Sequence, residues 1–239
     1  MNYSDYTVSE LEEMLLSLKD SKSRDDKKKY KDIDFYLCSL DNHRYEKMFY
    51  EKGYKYIAGV DEVGRGPLVG PVVAACVILP VSYELPGLTD SKKLSEKKRD
   101  YYYDIILKDA ISVGIGIIDN KIIDEVNIYE ATKLAMKEAI SKLDVAADAV
   151  LTDAMALDLD VPVEPIIKGD FKSITIAAAS VVAKVTRDRM MYELDLKYPQ
   201  YNFKNNKGYP TKDHVEAISK YGIIAEHRKS YAPIKNMKF

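Results

Sequence analysis

The sequence has few of the residues that build disulfides or soft metal sites, and no apolar run long enough for a membrane helix. Its 239 residues include two cysteines and three histidines. Cys38 lies in a charged segment and Cys76 in an apolar run, which disfavours a disulfide framework or a cysteine metal site, and isolated histidines are seldom ligands. No apolar run approaches about 18 residues, and the N-terminus lacks the basic-then-apolar order of a signal peptide. We therefore expect a cytoplasmic protein without membrane contact.

A large imbalance of charge is also missing. The chain carries 36 Lys and Arg against 38 Asp and Glu, which gives a net charge of −2. Net charge therefore offers no argument for a nucleic-acid partner. Locally the balance differs: five basic residues face one acid between residues 92 and 99, and seven face three acids between 197 and 229. An argument for nucleic acid has to rest on such local clusters.

The first fifty residues differ in texture from the rest. Thr7 and Glu10 have the spacing of a capping box, and an amphipathic pattern and then a charge run follow them. From Tyr56 onward the chain alternates apolar runs with helical patterns. We expect a short helical N-terminal extension over residues 1–52 and a larger domain over residues 53–239.

Five apolar runs of strand length follow the extension. They are YIAGV from Tyr56, GPVVAACVIL from Gly70, ISVGIGII from Ile111, DAVLTDA from Asp148 and VPVEPIIK from Val161. The first three have short connections or one helical insertion between them, which favours antiparallel pairing, whereas helical patterns from Asn127 and Ser173 accompany the later two. The pattern predicts an α/β fold with a mixed five-stranded sheet, flanking helices and a helical C-terminal part.

Four acids interrupt this apolar sheet pattern. Asp61 and Glu62 end the first strand, Asp153 ends the fourth, and Asp170 follows the fifth. A carboxylate in an apolar sheet costs several kcal/mol unless it is paired or bound to a cation. Because only oxygen donors are present, Mg²⁺ or Mn²⁺ is the expected partner. Any one of these acids alone is explained by a helix cap or a strand end in water, but that explanation serves poorly for all four.

The adjacency of Asp61 and Glu62 raises a geometric difficulty. Successive strand side chains point to opposite faces, so both can face one site only if the strand geometry breaks after Val60. Gly64 is well placed to permit such a break.

Five separate motifs carry a resemblance to a known family. They are AGVDEVGRGPLVGPVVAA from Ala58, LTDSKKLS from Leu88, LTDA from Leu151, KGDFKSITIAAASVVAKVTRDRMM from Lys168 and KGYPTKDH from Lys207. In this order they resemble the prokaryotic type 2 ribonuclease H family, ribonuclease HII. The glycine-arginine-glycine form is similar to ribonuclease HII rather than to the related ribonuclease HIII, which has threonine in place of the arginine.

The resemblance implies a ribonuclease H-like catalytic domain over residues 53–239 and an endoribonuclease activity. Such an enzyme hydrolyses RNA in RNA–DNA hybrids and cuts 5′ of ribonucleotides embedded in duplex DNA, with two divalent metal ions and with 3′-OH and 5′-phosphate products. It also implies that Asp61, Glu62 and Asp153 bind metal, and that Asp170 completes the site or helps to protonate the leaving group. We expect a monomer.

Two further features have a role by the same resemblance. The Gly64-Arg65-Gly66 backbone is expected to contact the ribose 2′-OH, which alone separates RNA from DNA at a single residue, and the flanking phosphates. Tyr209 is expected to stack on the following nucleotide. The alternatives are a turn with a solvated arginine and, in a chain with 19 tyrosines, a packing tyrosine, although Gly208 and Pro210 indicate a loop.

Contacts to duplex phosphates are expected from the local basic clusters. The best candidates are Ser91, Lys92 and Lys93, together with Lys184 and Arg187 on the long helix. Charge runs are usually only solvated faces.

Two other functional classes remain open. A different metal-dependent nuclease or phosphotransferase would keep the carboxylates but not require a 2′-OH. A hybrid-binding protein without activity would keep the basic clusters and the glycine loop, which the intact set of four acids disfavours.

Overall fold

The centre of the protein is one mixed sheet of five strands in the order β3-β2-β1-β4-β5. The structure is a computed structural model, and it describes residues 3–88, 91 and 94–237. The strands are β1 (Ile57–Val63), β2 (Val72–Ile78), β3 (Ser112–Ile118), β4 (Ala149–Asp153) and β5 (Val163–Ile166). Strands β1, β2 and β3 pair antiparallel, and β4 and β5 pair parallel to β1. The predicted mixed sheet and its antiparallel start are confirmed.

Helices flank the sheet, and the chain has helices before its first strand and after its last. Those of the described residues are α1 (Val8–Leu18), α2 (Arg24–Leu40), α3 (Arg44–Tyr50), α4 (Glu96–Asp109), α5 (Asn120–Val126), α6 (Ile128–Ser141), α7 (Gly169–Lys172), α8 (Ile174–Lys197), α9 (Phe203–Asn206) and α10 (Lys212–Tyr221). Short 3-10 turns occupy Tyr3–Asp5, Pro199–Tyr201 and Ile234–Asn236. Among these described helices, none is both long and apolar enough to span a membrane.

Helices α6 and α8 cover opposite faces of the sheet. Met136 of α6 packs in one apolar cluster with Val60, whereas Val181 of α8 packs in the other with Val77. Both helices begin where the helical patterns begin: Asn127 accepts from backbone amides of the first turn of α6, and the Ser173 hydroxyl does so in α8.

Helix α8 lies directly against β1. A Cβ atom on Gly59 would lie 2.1 Å from the backbone carbon of Thr175, so this approach requires glycine. Asp61 points to the same face as Gly59, because strand side chains alternate. The strand therefore presents Asp61 to the buried side of α8.

The N-terminal helices form their own small core and also reach the sheet. Thr7 and Glu10 form the predicted capping box at the start of α1. Helices α1 and α2 pack on each other around Leu11 and Ile33, while Phe49 of α3 joins an apolar cluster with sheet residues.

Candidate active site

Two of the predicted acids lie at neighbouring strand ends. The last residues paired between β1 and β4 are Val60 and Thr152. Because the two strands are parallel, Asp61 and Asp153 follow at the same edge of the sheet. Asp61 is only 5% exposed, and Asp153 is partly exposed. The fold thus brings together one acid from each half of the sequence.

Asp61 is held in an environment that disfavours its charge. Burial raises the pKa of its carboxyl well above the usual value, and the charges of Glu62 and Asp153 raise it further. A hydrogen bond from the Ser180 hydroxyl and one from the Glu62 backbone N–H, at 2.7 Å, oppose the shift. A carboxylate so placed is stabilised by a proton or by a cation.

Glu62 follows Asp61 in an unbroken strand, so the break after Val60 that would let both side chains face one site is not present. Pairing with β2 continues regularly through Val63, because only the parallel pairing to β4 stops at Val60. The side chains of Asp61 and Glu62 therefore alternate across β1. Glu62 Oε1 lies 3.3 Å from Arg65 Nη1, and its charge still acts on Asp61.

The turn after β5 brings Asp170 to the same edge of the sheet. The Gly169 N–H donates to Asp153 Oδ1 at 2.8 Å, and Asp170 follows in α7 with 8% of its surface exposed. The backbone that carries Asp170 is thus fixed to the carboxylate of Asp153.

The loop after β1 depends on a buried arginine. Gly64 has φ +94°, and a Cβ atom there would lie 2.3 Å from Arg187 Nε. Arg187 is fully buried. Its guanidinium donates at 3.1 Å to each of three backbone carbonyls, those of Val69, Pro71 and Lys207. Arg187 therefore does not make the expected phosphate contact, because it is buried and its guanidinium nitrogens donate to these three carbonyls.

A second buried arginine, Arg228, shapes the glycine-arginine-glycine segment. It donates to the carbonyls of Gly64 at 2.6 Å, Arg65 at 3.0 Å and Gly70 at 2.8 and 3.0 Å. The Tyr231 hydroxyl donates to the Arg65 carbonyl at 2.8 Å. These bonds turn the carbonyls inward, while the side chain of Arg65 stays 44% exposed.

Tyr209 lies over the same segment. A Cβ atom on Gly66 would lie 3.3 Å from Tyr209 Cε1, and the tyrosine is 43% exposed. The Leu68 N–H donates to the Gly208 carbonyl at 2.7 Å, which ties the two loops together. Tyr209 lies in a loop, as predicted, and the structure places that loop beside the glycine segment.

A buried histidine pair supports Tyr209 from behind. His214 Nδ1 lies 2.8 Å from the Tyr209 carbonyl, so this nitrogen donates. The Ile224 N–H donates to His227 Nδ1 at 2.9 Å, which leaves His227 Nε2 to donate across 3.3 Å to His214 Nε2. Burial and the neighbouring His214 lower the pKa of His227 to about 4, and burial lowers that of His214. Both rings are therefore neutral at pH 7.

The remaining predicted phosphate contacts have mixed outcomes. Ser91 is 2% exposed and its hydroxyl lies 2.7 Å from that of Ser180, so it supports the residue that bonds Asp61 and does not face solvent, contrary to expectation. Lys184 pairs with Asp188 at 2.6 Å, and burial lowers its pKa. Two others lie outside the described residues: Lys92 and Lys93.

The donor set fits a hard divalent cation at an open site. Within residues 3–88, 91 and 94–237, no three His, Cys, Asp or Glu side chains converge as a complete ligand group. Mg²⁺, however, is usually bound by one or two carboxylates together with waters and substrate phosphates. Asp61 and Asp153 supply such carboxylates. A cation between them would also relieve the repulsion that raises the pKa of Asp61.

Sequence reasoning missed three residues that hold this site. Ser180 had a signal, since it is the one hydroxyl in the run AAASVVA. Arg228 had none, because an arginine in a charged segment normally indicates the surface. Glu46 also had none, yet its buried Oε1 accepts from the Ser173 hydroxyl at 2.6 Å and from the Thr175 N–H at 3.1 Å.

Comparison with known proteins places this geometry in a family. The sequence profile described as Ribonuclease HII matches residues 58–234. A ribonuclease HII of Bacillus cereus is 57% identical over 198 residues, which are 83% of this chain and 77% of that protein. The crystal structure of ribonuclease H2 from Pyrococcus horikoshii OT3 is 25% identical with a TM-score of 0.66, covering 76% of this chain and 96% of that one. Bst-RNase HIII, solved in complex with Mn²⁺, shares the fold at 16% identity and a TM-score of 0.58, over 83% of this chain and 71% of that one.

The profile spans most of the chain, and the similarity to the Bacillus cereus protein agrees with it. The chain therefore belongs to the ribonuclease HII family and is a ribonuclease, a hydrolase of nucleic-acid phosphodiester bonds.

Proposed function

We propose that this protein hydrolyses the RNA strand of RNA–DNA hybrids and cuts on the 5′ side of a ribonucleotide embedded in duplex DNA. The products would carry a 3′-OH and a 5′-phosphate. One observation carries the proposal: the carboxylates of Asp61 and Asp153 meet at a sheet edge, and β1 leads from that edge directly into the loop that Tyr209 covers.

Asp61 and Asp153 would hold a divalent cation, Mg²⁺ or Mn²⁺. Glu62, which alternates with Asp61 across β1 but whose charge acts on it, and Asp170 would complete the site for a pair of ions. When bound, the ions neutralise charge on the phosphate and activate the attacking water. The Ser180 hydroxyl keeps Asp61 oriented, and the Gly169 N–H does the same for Asp153. Asp170 would complete the site for the two metal ions or help to protonate the leaving oxygen.

The glycine segment would distinguish ribose from deoxyribose. Gly66 is exposed and has no Cβ, so a sugar can approach the backbone there as closely as the Tyr209 ring does. Arg228 fixes the segment by bonding its carbonyls. The exposed side chain of Arg65 can meet a phosphate bidentately.

The protein would act as a monomer, with residues 1–52 as an extension and 53–239 as the catalytic domain. Contacts of α3 with α8 support an extension that is docked on the domain, since Glu46 bonds the first turn of α8.

The test uses two matched end-labelled duplexes, one all DNA and one with a single ribonucleotide, in Mg²⁺, Mn²⁺ or EDTA. We expect a metal-dependent cut immediately 5′ of the ribonucleotide and an intact all-DNA duplex. Cutting of both duplexes would contradict the sugar-sensing role, and cutting of neither, nor of an RNA–DNA hybrid, would contradict the activity.

Variants of the acids separate catalysis from folding in the same assay. Asp61→Asn or Asp153→Asn should abolish cleavage and leave the fold intact, because an amide binds the cation poorly and relieves carboxylate repulsion. Asp158→Asn, at an exposed acid shortly after the same strand, is the matched control and should cleave normally. Loss of the fold in Asp61→Asn would show that the acid is structural.

A tyrosine variant tests the sugar contact. Tyr209→Ala should lower cleavage at an isolated ribonucleotide far more than it lowers thermal stability, since the ring is 43% exposed. Tyr129→Ala, at a similarly exposed tyrosine on α6, is the control. An unchanged rate for Tyr209→Ala would refute the stacking role.

A further inference from the structure

Helix α2 carries a row of basic side chains along one face. Arg24, Lys28 and Lys31 are all exposed, and their spacing of four and three residues places them on one side of the helix. Phe35 continues the row by another four residues and is 38% exposed. The opposite side of α2 carries buried Ile33, which anchors the helix in the N-terminal core. We call Arg24, Lys28 and Lys31 the basic row.

The basic row is part of a larger positive surface that the protein does not neutralise. A depression of about 750 Å³ is lined by Lys22, Arg24, Asp25, Lys27, Lys28 and Lys31. Five of these six side chains are basic. Among the ion pairs found in the described residues, none involves any of the five. Their charge is therefore available to a ligand.

The row leads to the candidate active site. The Phe35 ring stacks on that of Phe171 with a centroid distance of 4.2 Å, and Phe171 directly follows Asp170. Lys168 Nζ lies 5.2 Å from the centre of the Phe35 ring. Lys168 itself precedes Gly169, whose N–H binds Asp153. The Phe35 ring thus connects α2 to the basic side chain of Lys168 and to the segment that carries Asp170.

Helix α2 is also attached to α7 by specific contacts. Asp34 forms a buried ion pair with Lys172, so the helix is joined to α7 by charge as well as by the stacked rings. At 1.5 Å per residue, Arg24 and Phe35 are about 16 Å apart along the helix. That length corresponds to about five base pairs of duplex at 3.4 Å each.

We propose that the basic row of α2 binds backbone phosphates of the substrate duplex on one side of the cleavage position. This inference rests on the proposed function, because it extends the same substrate beyond the carboxylate site. Charge complementarity and continuity with that site make the occupant a nucleic-acid duplex. The N-terminal extension is therefore a part of the substrate-binding surface.

The test compares two triple variants that change net charge equally. Arg24→Gln, Lys28→Gln and Lys31→Gln are combined in the row variant, and Gln retains good helix propensity. The control variant combines the same change at two lysines of α6 and at the residue that caps its C-terminus, on the face of the sheet opposite α8: Lys133, Lys137 and Lys142. Binding to a 40-base-pair duplex with one ribonucleotide is measured in EDTA over a range of salt concentrations, and KM is measured with Mg²⁺.

We expect the row variant to bind at least about 10-fold more weakly at low salt and to raise KM, with the control variant close to the unmodified protein. Loss of three phosphate contacts should reduce the slope of log affinity against log salt by about 2.7. A charge-preserving variant, Arg24→Lys with Lys28→Arg and Lys31→Arg, should bind nearly normally.

The outcomes separate this inference from the proposed function. If the unmodified protein cleaves the ribonucleotide duplex but the row and control variants bind it equally, the inference is wrong and the function stands. If the unmodified protein does not cleave the ribonucleotide duplex, the proposed function itself is refuted. Equal weakening by the Gln and the charge-preserving variants would show a packing effect and overturn the inference, as would row-dependent binding to vesicles with 30% phosphatidylserine without an effect on the duplex.

Discussion

The N-terminal and C-terminal segments attach next to different parts of the candidate active site. The N-terminal segment uses buried carboxylates: Asp34 pairs with Lys172 in α7, and Glu46 bonds the start of α8. The C-terminal segment uses a guanidinium and neutral rings: Arg228 bonds the carbonyls after β1, and His214 supports Tyr209. One attachment therefore borders the acid Asp170, and the other borders the loop proposed to sense the sugar.

The two attachments differ in how completely their polar groups are satisfied. Every nitrogen of the Arg228 guanidinium has an acceptor, and the two histidines accept and donate in a consistent order. Glu46 Oε2, in contrast, is buried without a hydrogen-bond partner among the described residues. The C-terminal attachment thus fixes the shape of a loop. The N-terminal attachment buries charged groups, so its stability depends more strongly on their partners and on pH.

The largest effect is expected at Arg228. Arg228→Met would leave the carbonyls of Gly64 and Gly70 without a donor in a buried site, at roughly 1–3 kcal/mol each, and the Arg65 carbonyl would keep only the Tyr231 hydroxyl. We therefore expect a loss of about 5 kcal/mol. The loop would lose its shape, and cleavage at a single ribonucleotide should fall at least about 100-fold. The measurements are chemical denaturation and the duplex assay.

Two companion variants sharpen this result. Lys229→Met removes a charge from the exposed neighbouring residue and should change neither quantity by much. Arg228→Lys keeps the charge but not the planar set of donors, and should lie between the two. An Arg228→Lys variant as active as the unmodified protein would contradict the shaping role.

Most of the fold could be predicted from the sequence because its helices and strands follow from local patterns. Apolar runs of strand length, Asn127 and Ser173 at the starts of helices, and the Thr7 to Glu10 capping box all have short-range physical causes, and each is present. The division at residue 52 has no such signal. Helix α3 lies before that point, yet its Phe49 packs with residues of the sheet.

The candidate site was predictable only in part, because its supports are long-range. The acids stood out as charges in apolar runs. The burial of Arg187 could not be foreseen, since its acceptors are carbonyls of two distant loops rather than side chains. Whether the strand breaks after Val60 could not be decided for a related reason: pairing with β2 continues beyond the end of pairing with β4, and only the assembled sheet shows this.

The second prediction concerns the N-terminal attachment. Lys172→Met would leave Asp34 buried without its cation, and we expect destabilisation by about 3–5 kcal/mol. Because Lys172 lies two residues after Asp170, cleavage should fall chiefly through kcat. This contrasts with Arg228→Met, where recognition of the ribonucleotide should suffer most.

A double-mutant cycle isolates the pair. Asp34→Asn combined with Lys172→Met should recover at least about 1 kcal/mol of the loss, because no unpaired charge remains. Lys47→Met breaks the exposed pair with Asp41 and should cost less than about 1 kcal/mol. Strict additivity of the Asp34 and Lys172 changes would show that the buried pair does not act as a unit.

The smallest effect is expected from pH, and it should have opposite signs at the two attachments. The pKa of His227 is lowered to about 4 in the folded protein, so the unfolded chain binds the proton more readily and stability falls as pH drops from about 6.5 to 4, by at most about 3 kcal/mol. Burial raises the pKa of Glu46. Its contribution is therefore present below the ordinary glutamate pKa and is lost as pH rises through the raised value.

Unfolding free energies of His227→Gln and Glu46→Gln, measured between pH 4 and 8, test this difference. Relative to the unmodified protein, His227→Gln should lose the decline below about pH 6.5, because glutamine takes up no proton. Glu46→Gln should instead gain relative stability as pH rises, because the glutamine remains neutral where the buried glutamate must ionise. If the unfolding free energies of the two variants changed in parallel with pH, the histidine pair and the buried glutamate would not titrate as their surroundings require. The contrast between the two attachments would then rest on hydrogen-bond geometry alone.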